Sequence, residues 1–208
     1  EGDFPSWIRV LRARKATRSQ AEFERAAETG LRQCWAAGVT TVADTGDTGA
    51  AARALATLGG RGIAYQEVFG PHPDQVPESL AALAALVERT RAMSSDRVQI
   101  GVSPHAPYTV SEPLYRAVAV WARERGLPLA LHLAESAEET EFVTGGTGGF
   151  AAAWARRDIP VPVAARSPVA YVDRSGVLGP DTLCIHVIRV DAEDIRILEA
   201  RGVGIAHC

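Results

Sequence analysis

The strongest constraint on the fold of this chain is a repeated order: a short apolar run rich in β-branched residues, then a longer segment with helical spacing. Residues 40–44 (TTVAD) read as a buried strand, followed by an alanine-rich helix over 49–58 that stops at Gly59-Gly60. A strand over 63–69 precedes a helix that opens near Pro77 and reaches about Met93. A strand over 98–103 precedes a helix over 112–125, capped by Ser111 and closed by Gly126. A strand over 129–134 leads into Ser136 and Glu139, a capping-box pair. Residues 144–180 are rich in Gly and Pro and read as irregular, with one helix near 150–157. A strand over 182–187 precedes a helix from Asp191 to about Arg201, and 204–207 begins a last strand. Ahead of all of these, the capping-box pair Ser19 and Glu22 opens a helix that runs to about Ala37.

Six strands alternating with helices predict a parallel sheet with helices outside it. An open doubly wound sheet and a (β/α)8 TIM barrel both satisfy the pattern. No G-x-G-x-x-G or phosphate-loop sequence follows any strand, so nothing favours a nucleotide-binding open sheet. No linker divides the 208 residues, which are long enough for one sizeable core.

The formal net charge of −3 gives no electrostatic reason to expect nucleic acid. Cys34, Cys184 and Cys208 are far apart and form no C-x-x-C pair, which argues against a disulfide framework and against a cysteine zinc site. With no leader sequence and no long apolar run, the expectation is a cytoplasmic protein that acts on a small molecule, away from membranes, and that is free to form a homo-oligomer.

Chemistry-bearing residues collect at the carboxyl ends of the strands. Asp44 ends the first, Glu67 lies near the end of the second, and His105 follows the third. His132 lies near the end of the fourth with Glu135 three residues on, His186 near the end of the fifth, and His207 near the end of the sixth. The remaining histidine, His72, sits in a Pro-rich loop at the same end. In a βα barrel these ends form the active face. Neutral imidazole suits divalent zinc or iron, and a nearby glutamate can relay protons. A lone histidine in such a place is more often structural, but four in one topological position point to a site.

The runs SPHAPYTVS (103–111), LHLAES (131–136), CIHV (184–187) and IAHC (205–208) resemble the amidohydrolase superfamily, and among its members the nucleoside and purine deaminases. The likeness extends to deaminases of adenosylhomocysteine, methylthioadenosine and aminodeoxyfutalosine. The segment FPSWI (4–8) tilts it toward the last of these. The resemblance implies an incomplete (β/α)8 TIM barrel holding about strands 2 to 7, and one divalent metal ion, zinc or iron. It implies His132 and His186 as metal ligands, with His186 also orienting or deprotonating the water, and Glu135 as the proton carrier to the purine ring nitrogen. His105, Glu67 and His207 become substrate-binding candidates, although no motif assigns Glu67. The implied reaction is hydrolytic deamination of an aminated purine nucleoside, with metal-activated water attacking the ring carbon and ammonia leaving.

Two departures from the family pattern stand out. No first-strand H-x-H pair occurs, and the chain stops before the position of an eighth-strand aspartate. The superfamily's small flanking β-domain is also missing. The expectation is therefore that residues 1–208 are part of one barrel domain. Other amidohydrolase chemistry, such as triazine dechlorination or ring and amide hydrolysis, stays open, and so does a non-catalytic fragment.

Overall fold

The computed structural model describes residues 4–161 and 164–208. Among them are six strands, ordered β1-β2-β3-β4-β5-β6 within one sheet, so that each strand neighbours the next in sequence. Two compact units can be distinguished: residues up to Gln66 with Ala85–Gly101, and Glu67–Ala84 with Val102–Cys208.

The first unit holds α1 (Phe4–Ala16), α2 (Gln20–Ala36), β1 (Val42–Gly46) and α3 (Ala50–Leu58). It also takes the first part of β2 (Gly62–Val68), the end of α4 (Val76–Arg91) and the start of β3 (Val98–Pro104). The Ser19 and Glu22 capping box forms: the Ser19 amide donates to Glu22 Oε2 at 2.8 Å and the Glu22 amide donates to Ser19 Oγ at 3.3 Å. Helix α1 is a correction, because no helix was expected ahead of Ser19. Its charges are spread along the segment and Trp7, Val10 and Leu11 remain exposed, so it lacks the apolar stripe that announces a packed helix. Strand β1 begins two residues later than the β-branched run suggests, because Val42 pairs with Gly62 and Asp44 with Ala64. Gly62 is required there: a Cβ would lie 2.1 Å from the Val42 carbonyl oxygen.

The second unit holds the remainder of β2, α4 and β3, then α5 (Glu112–Arg123), β4 (Leu129–Leu133), α6 (Ala137–Gly145), α7 (Gly148–Ala155), α8 (Pro168–Arg174), β5 (Thr182–His186), α9 (Ala192–Arg201) and β6 (Gly204–Ala206). Strands β4, β5 and β6 pair in parallel, Leu129 with Thr182, Leu133 with His186, and Ile185 with Ala206. Leu129, Leu131 and Leu133 are fully buried, and with Val118, Phe142 and Val172 they form the core of this unit. Residues 144–180 are more regular than their composition suggests. Helix α8 is capped by Ser167, whose hydroxyl accepts from the Ala170 amide at 3.1 Å, with Pro168 in its first turn. Ser111, expected as a cap, has the backbone of an N-cap but no capping hydrogen bond.

Candidate functional site

The second unit brings Glu67, His105, His132, Glu135 and His186 to the carboxyl ends of successive strands. Glu67 Oε1 lies 3.9 Å from His105 Nε2 and 4.0 Å from His132 Nδ1. The His105 and His132 rings are 4.7 Å apart between centroids, and those of His132 and His186 are 5.5 Å apart. His186 Nε2 then faces Glu135 Oε1 at 3.5 Å.

Hydrogen bonding fixes how the imidazoles are presented. Thr109 donates its hydroxyl proton to the Ala106 carbonyl at 3.0 Å, so at His105 the Nδ1–H is the donor across the 2.8 Å contact to Thr109 Oγ1. In the neutral ring, His105 Nε2 therefore turns a lone pair toward the Glu67 carboxylate. At His132, Nδ1–H donates to the His105 carbonyl at 3.3 Å, which leaves Nε2 as the lone-pair nitrogen. Burial lowers the His132 imidazole to about 4, reinforced by His186, so the neutral ligand form prevails near pH 7.

This donor set suits a divalent metal. One carboxylate oxygen and one ring nitrogen each from His105 and His132 lie within 4.8 Å of one another, and the His105 Nε2 lone pair facing a Glu67 oxygen at 3.9 Å suits a cation or proton between them. Among the described residues this is the group of three that could hold a metal ion, and His186 stands outside it.

Backbone conformation brings His186 and Glu135 together. Register pairs His132 with Ile185, so regular alternation would send His186 to the opposite face from His132. His186 instead has φ of 76° and Val187 of 53°, which breaks the alternation at the end of β5. Ala134, just before Glu135, has φ of 53°. Left-handed non-glycine residues are costly and gather at functional sites. On the other side of Glu135, the Tyr108 hydroxyl donates to Oε2 at 3.3 Å. The Tyr108 ring stacks on Phe150 with centroids 4.2 Å apart, and its carbonyl accepts from Trp154 Nε1 at 3.0 Å.

Comparison with known proteins decides the family. A sequence profile of the amidohydrolase family matches residues 2–208. The chain belongs to the amidohydrolase family. It is 32% identical over 160 residues to an aminodeoxyfutalosine deaminase of Deinococcus radiodurans, covering 71% of this chain and 37% of that protein. It is 30% identical over 157 residues to a 5-methylthioadenosine/S-adenosylhomocysteine deaminase of Syntrophobacter fumaroxidans, covering 76% of this chain and 32% of that protein. The chain thus spans about a third of the length of these curated relatives. An adenosine deaminase from Xanthomonas campestris, solved with bound zinc, superposes with a TM-score of 0.76 at 19% identity, over 100% of this chain and 44% of that one. That likeness is one of fold, and with the strand order it makes this amidohydrolase an incomplete (β/α)8 barrel.

The other expected residues of this amidohydrolase fall in different places. His207 is exposed and its Nδ1 meets the His186 carbonyl at 3.0 Å, supporting the backbone behind that ring. His72 caps the short 3₁₀ turn Pro73–Gln75, its Nδ1 accepting from the Asp74 amide at 3.1 Å. Asp44 is a correction: it sits in the middle of β1, in the first unit, rather than at a strand end. The Ser136–Glu139 pair is a second correction. Ser136 Oγ accepts from the Glu139 amide at 3.1 Å as a cap should, but the Glu139 carboxylate turns away from the Ser136 amide to the backbone of Ala134 and Glu135. Tyr108, Thr109 and Glu139 were missed as site residues. The first two lie inside SPHAPYTVS, and the third was hidden by its reading as a cap.

Proposed function

We propose that the protein carrying this chain is a metal-dependent hydrolytic deaminase of an adenosine-like purine nucleoside, with aminodeoxyfutalosine and methylthioadenosine as the leading substrates. The observation that carries this reading is the row His132, His186 and Glu135 on consecutive strand ends of a chain whose relatives are named as such deaminases.

His132 would hold the metal, supported by its neutral, lone-pair-bearing Nε2; His105 and Glu67 are the donors grouped with it. Bound there, zinc or iron supplies Lewis-acid activation of water. Glu135, between the Tyr108 hydroxyl and His186 Nε2, passes its proton to the purine ring nitrogen. The proton that His186 takes from the water then reaches the departing amino group through Glu135, which is reprotonated from the hydroxyl on the ring carbon as ammonia leaves. His186 orients the water and accepts its proton. The Tyr108 hydroxyl, its ring fixed by stacking on Phe150, holds Glu135 Oε2 in place. Where His105 and Glu67 are not ligands, their polar edges meet the ribose, with His207 at the rim.

The test is ammonia release by the full-length protein from adenosine, methylthioadenosine and aminodeoxyfutalosine, with metal content measured in parallel. Glu135→Gln is expected to keep the metal and lose most turnover, because a carboxamide fills the space but cannot carry a proton. His132→Ala is expected to lose the metal. Retained metal in His132→Ala, or chloride release from a triazine in place of ammonia, would overturn the assignment.

A further inference from the structure

We propose that Glu139 is a positioning residue, a buried carboxylate clamp that sets the backbone of the proton carrier Glu135 and, through it, the facing His186. This rests on the proposed role of Glu135 and adds a residue to it.

Glu139 lies in the first turn of α6 and is fully buried. A buried carboxylate needs a strong reason to be there. Here each oxygen has its own backbone donor: Oε1 accepts from the Ala134 amide at 2.9 Å and Oε2 from the Glu135 amide at 2.8 Å. Two consecutive amides can converge on one carboxylate only if the chain bends sharply between them, and Ala134 supplies that bend in the left-handed region. Glu139 therefore holds open a conformation that alanine ordinarily avoids.

The clamp also reaches β5. The Ala134 carbonyl accepts from the Ile188 amide at 3.0 Å and the Arg189 amide at 2.9 Å, while Val187 N–H donates to the Leu133 carbonyl at 2.9 Å. Ala134 is thus gripped at its N–H by Glu139 and at its carbonyl by the loop that follows the left-handed pair His186 and Val187. Releasing the N–H side frees the peptide against which that loop is seated. The 3.5 Å approach of His186 Nε2 to Glu135 Oε1 depends on both ends of this arrangement. Burial pushes the Glu139 carboxyl up to about 7, while the amides of Glu135 and Ala134 pull it down; the anionic form is the one that accepts both bonds.

The experiment compares Glu139→Gln with Ser136→Ala in the full-length metal-loaded protein. Glutamine preserves volume but offers one acceptor oxygen, and its amino group opposes the second amide, donor against donor. Ser136→Ala removes the hydroxyl cap of α6 and leaves both carboxylate bonds intact. Expected for Glu139→Gln are a kcat about ten- to a hundredfold lower, KM within about twofold, unchanged metal content, and faster hydrogen exchange at the Ala134 and Glu135 amides. Ser136→Ala is expected to keep kcat within about twofold. Equal loss in both variants would make helix integrity the cause and overturn the clamp, as would unchanged kcat and exchange in Glu139→Gln. Should Glu139→Gln not fold, exchange in the unaltered protein decides: protection at both amides supports the clamp, and free-loop rates at either one overturn it. Absence of any deaminase turnover in the unaltered protein would defeat the proposed function, and the exchange measurement would still decide the clamp.

Discussion

Removing the Tyr108 hydroxyl tests whether it aims Glu135, the proposed proton carrier, separately from the packing of its ring. In Tyr108→Phe the ring keeps its stack on Phe150, at 4.2 Å and an interplanar angle of 8°, and its backbone keeps the bond from Trp154 Nε1. What is lost is the hydroxyl that reaches Glu135 Oε2 at 3.3 Å. A hydrogen bond to an ionised group contributes about 1.5–3 kcal/mol when well formed. This one is longer than the usual range for O–H···O bonds, so a contribution of about 1 kcal/mol is the better figure. That corresponds to roughly a fivefold fall in kcat, since about 1.4 kcal/mol is tenfold. KM is expected to change little, and thermal stability to hold, because the ring stays packed. The assay is steady-state ammonia release by the full-length protein beside a melting curve. An unchanged kcat would show that the hydroxyl does not aim Glu135. A loss beyond about a hundredfold would make Tyr108 itself a proton carrier, and either result refutes the reasoning.

Gly70 joins the loop after β2 to the loop after β3, donating to the Thr109 carbonyl at 3.0 Å and accepting from the Ser111 amide at 2.9 Å. A Cβ there would lie 2.6 Å from Leu114 Cδ2 and 2.7 Å from Ser79 Oγ, so Gly70→Ala is expected to lower unfolding free energy by about 1–3 kcal/mol in a denaturant titration. Burial raises the Cys184 thiol to about 12, so it stays protonated at pH 8, below its pKa, where an ordinary cysteine is partly thiolate. Maleimide labelling at pH 8, mapped by mass spectrometry, is expected to modify Cys34 and Cys208 well before Cys184; early labelling of Cys184 would contradict its burial.

Much of this arrangement is legible in the sequence because it follows from local pattern. The strands announce themselves as β-branched and apolar runs, and their polar ends put His132 and His186 on adjoining strand ends, where the left-handed backbone at His186, not the register, brings the two rings together. Three features resist such reading. Strand β1 takes its limits from pairing with Gly62, which no local property of 40–44 encodes, and this moved Asp44 from a strand end to mid-strand. Ser136 and Glu139 carry the spacing of a capping box, but the bend at the strand end just upstream turns the Ala134 and Glu135 amides toward α6, and the carboxylate goes there. Glu67 belongs to no motif; its proximity to His105 and His132 arises only when β2, β3 and β4 are assembled. Helix α8 was readable in principle from Ser167-Pro168, a cap followed by a first-turn proline, but the Gly- and Pro-rich surroundings masked it.

The Tyr108–Phe150 stack links the loop after β3 to α7, whereas the Glu139 clamp is built within a few residues of Glu135. Both nevertheless converge on Glu135, because the Tyr108 hydroxyl reaches its Oε2 while the clamp holds its amide. Phe142 of α6 meets both Phe150 and Trp154, so α7 also leans on the helix that carries Glu139. Variation in α7 is therefore expected to be matched by compensating changes around Phe142 and Tyr108, so that these distant stretches of the gene covary.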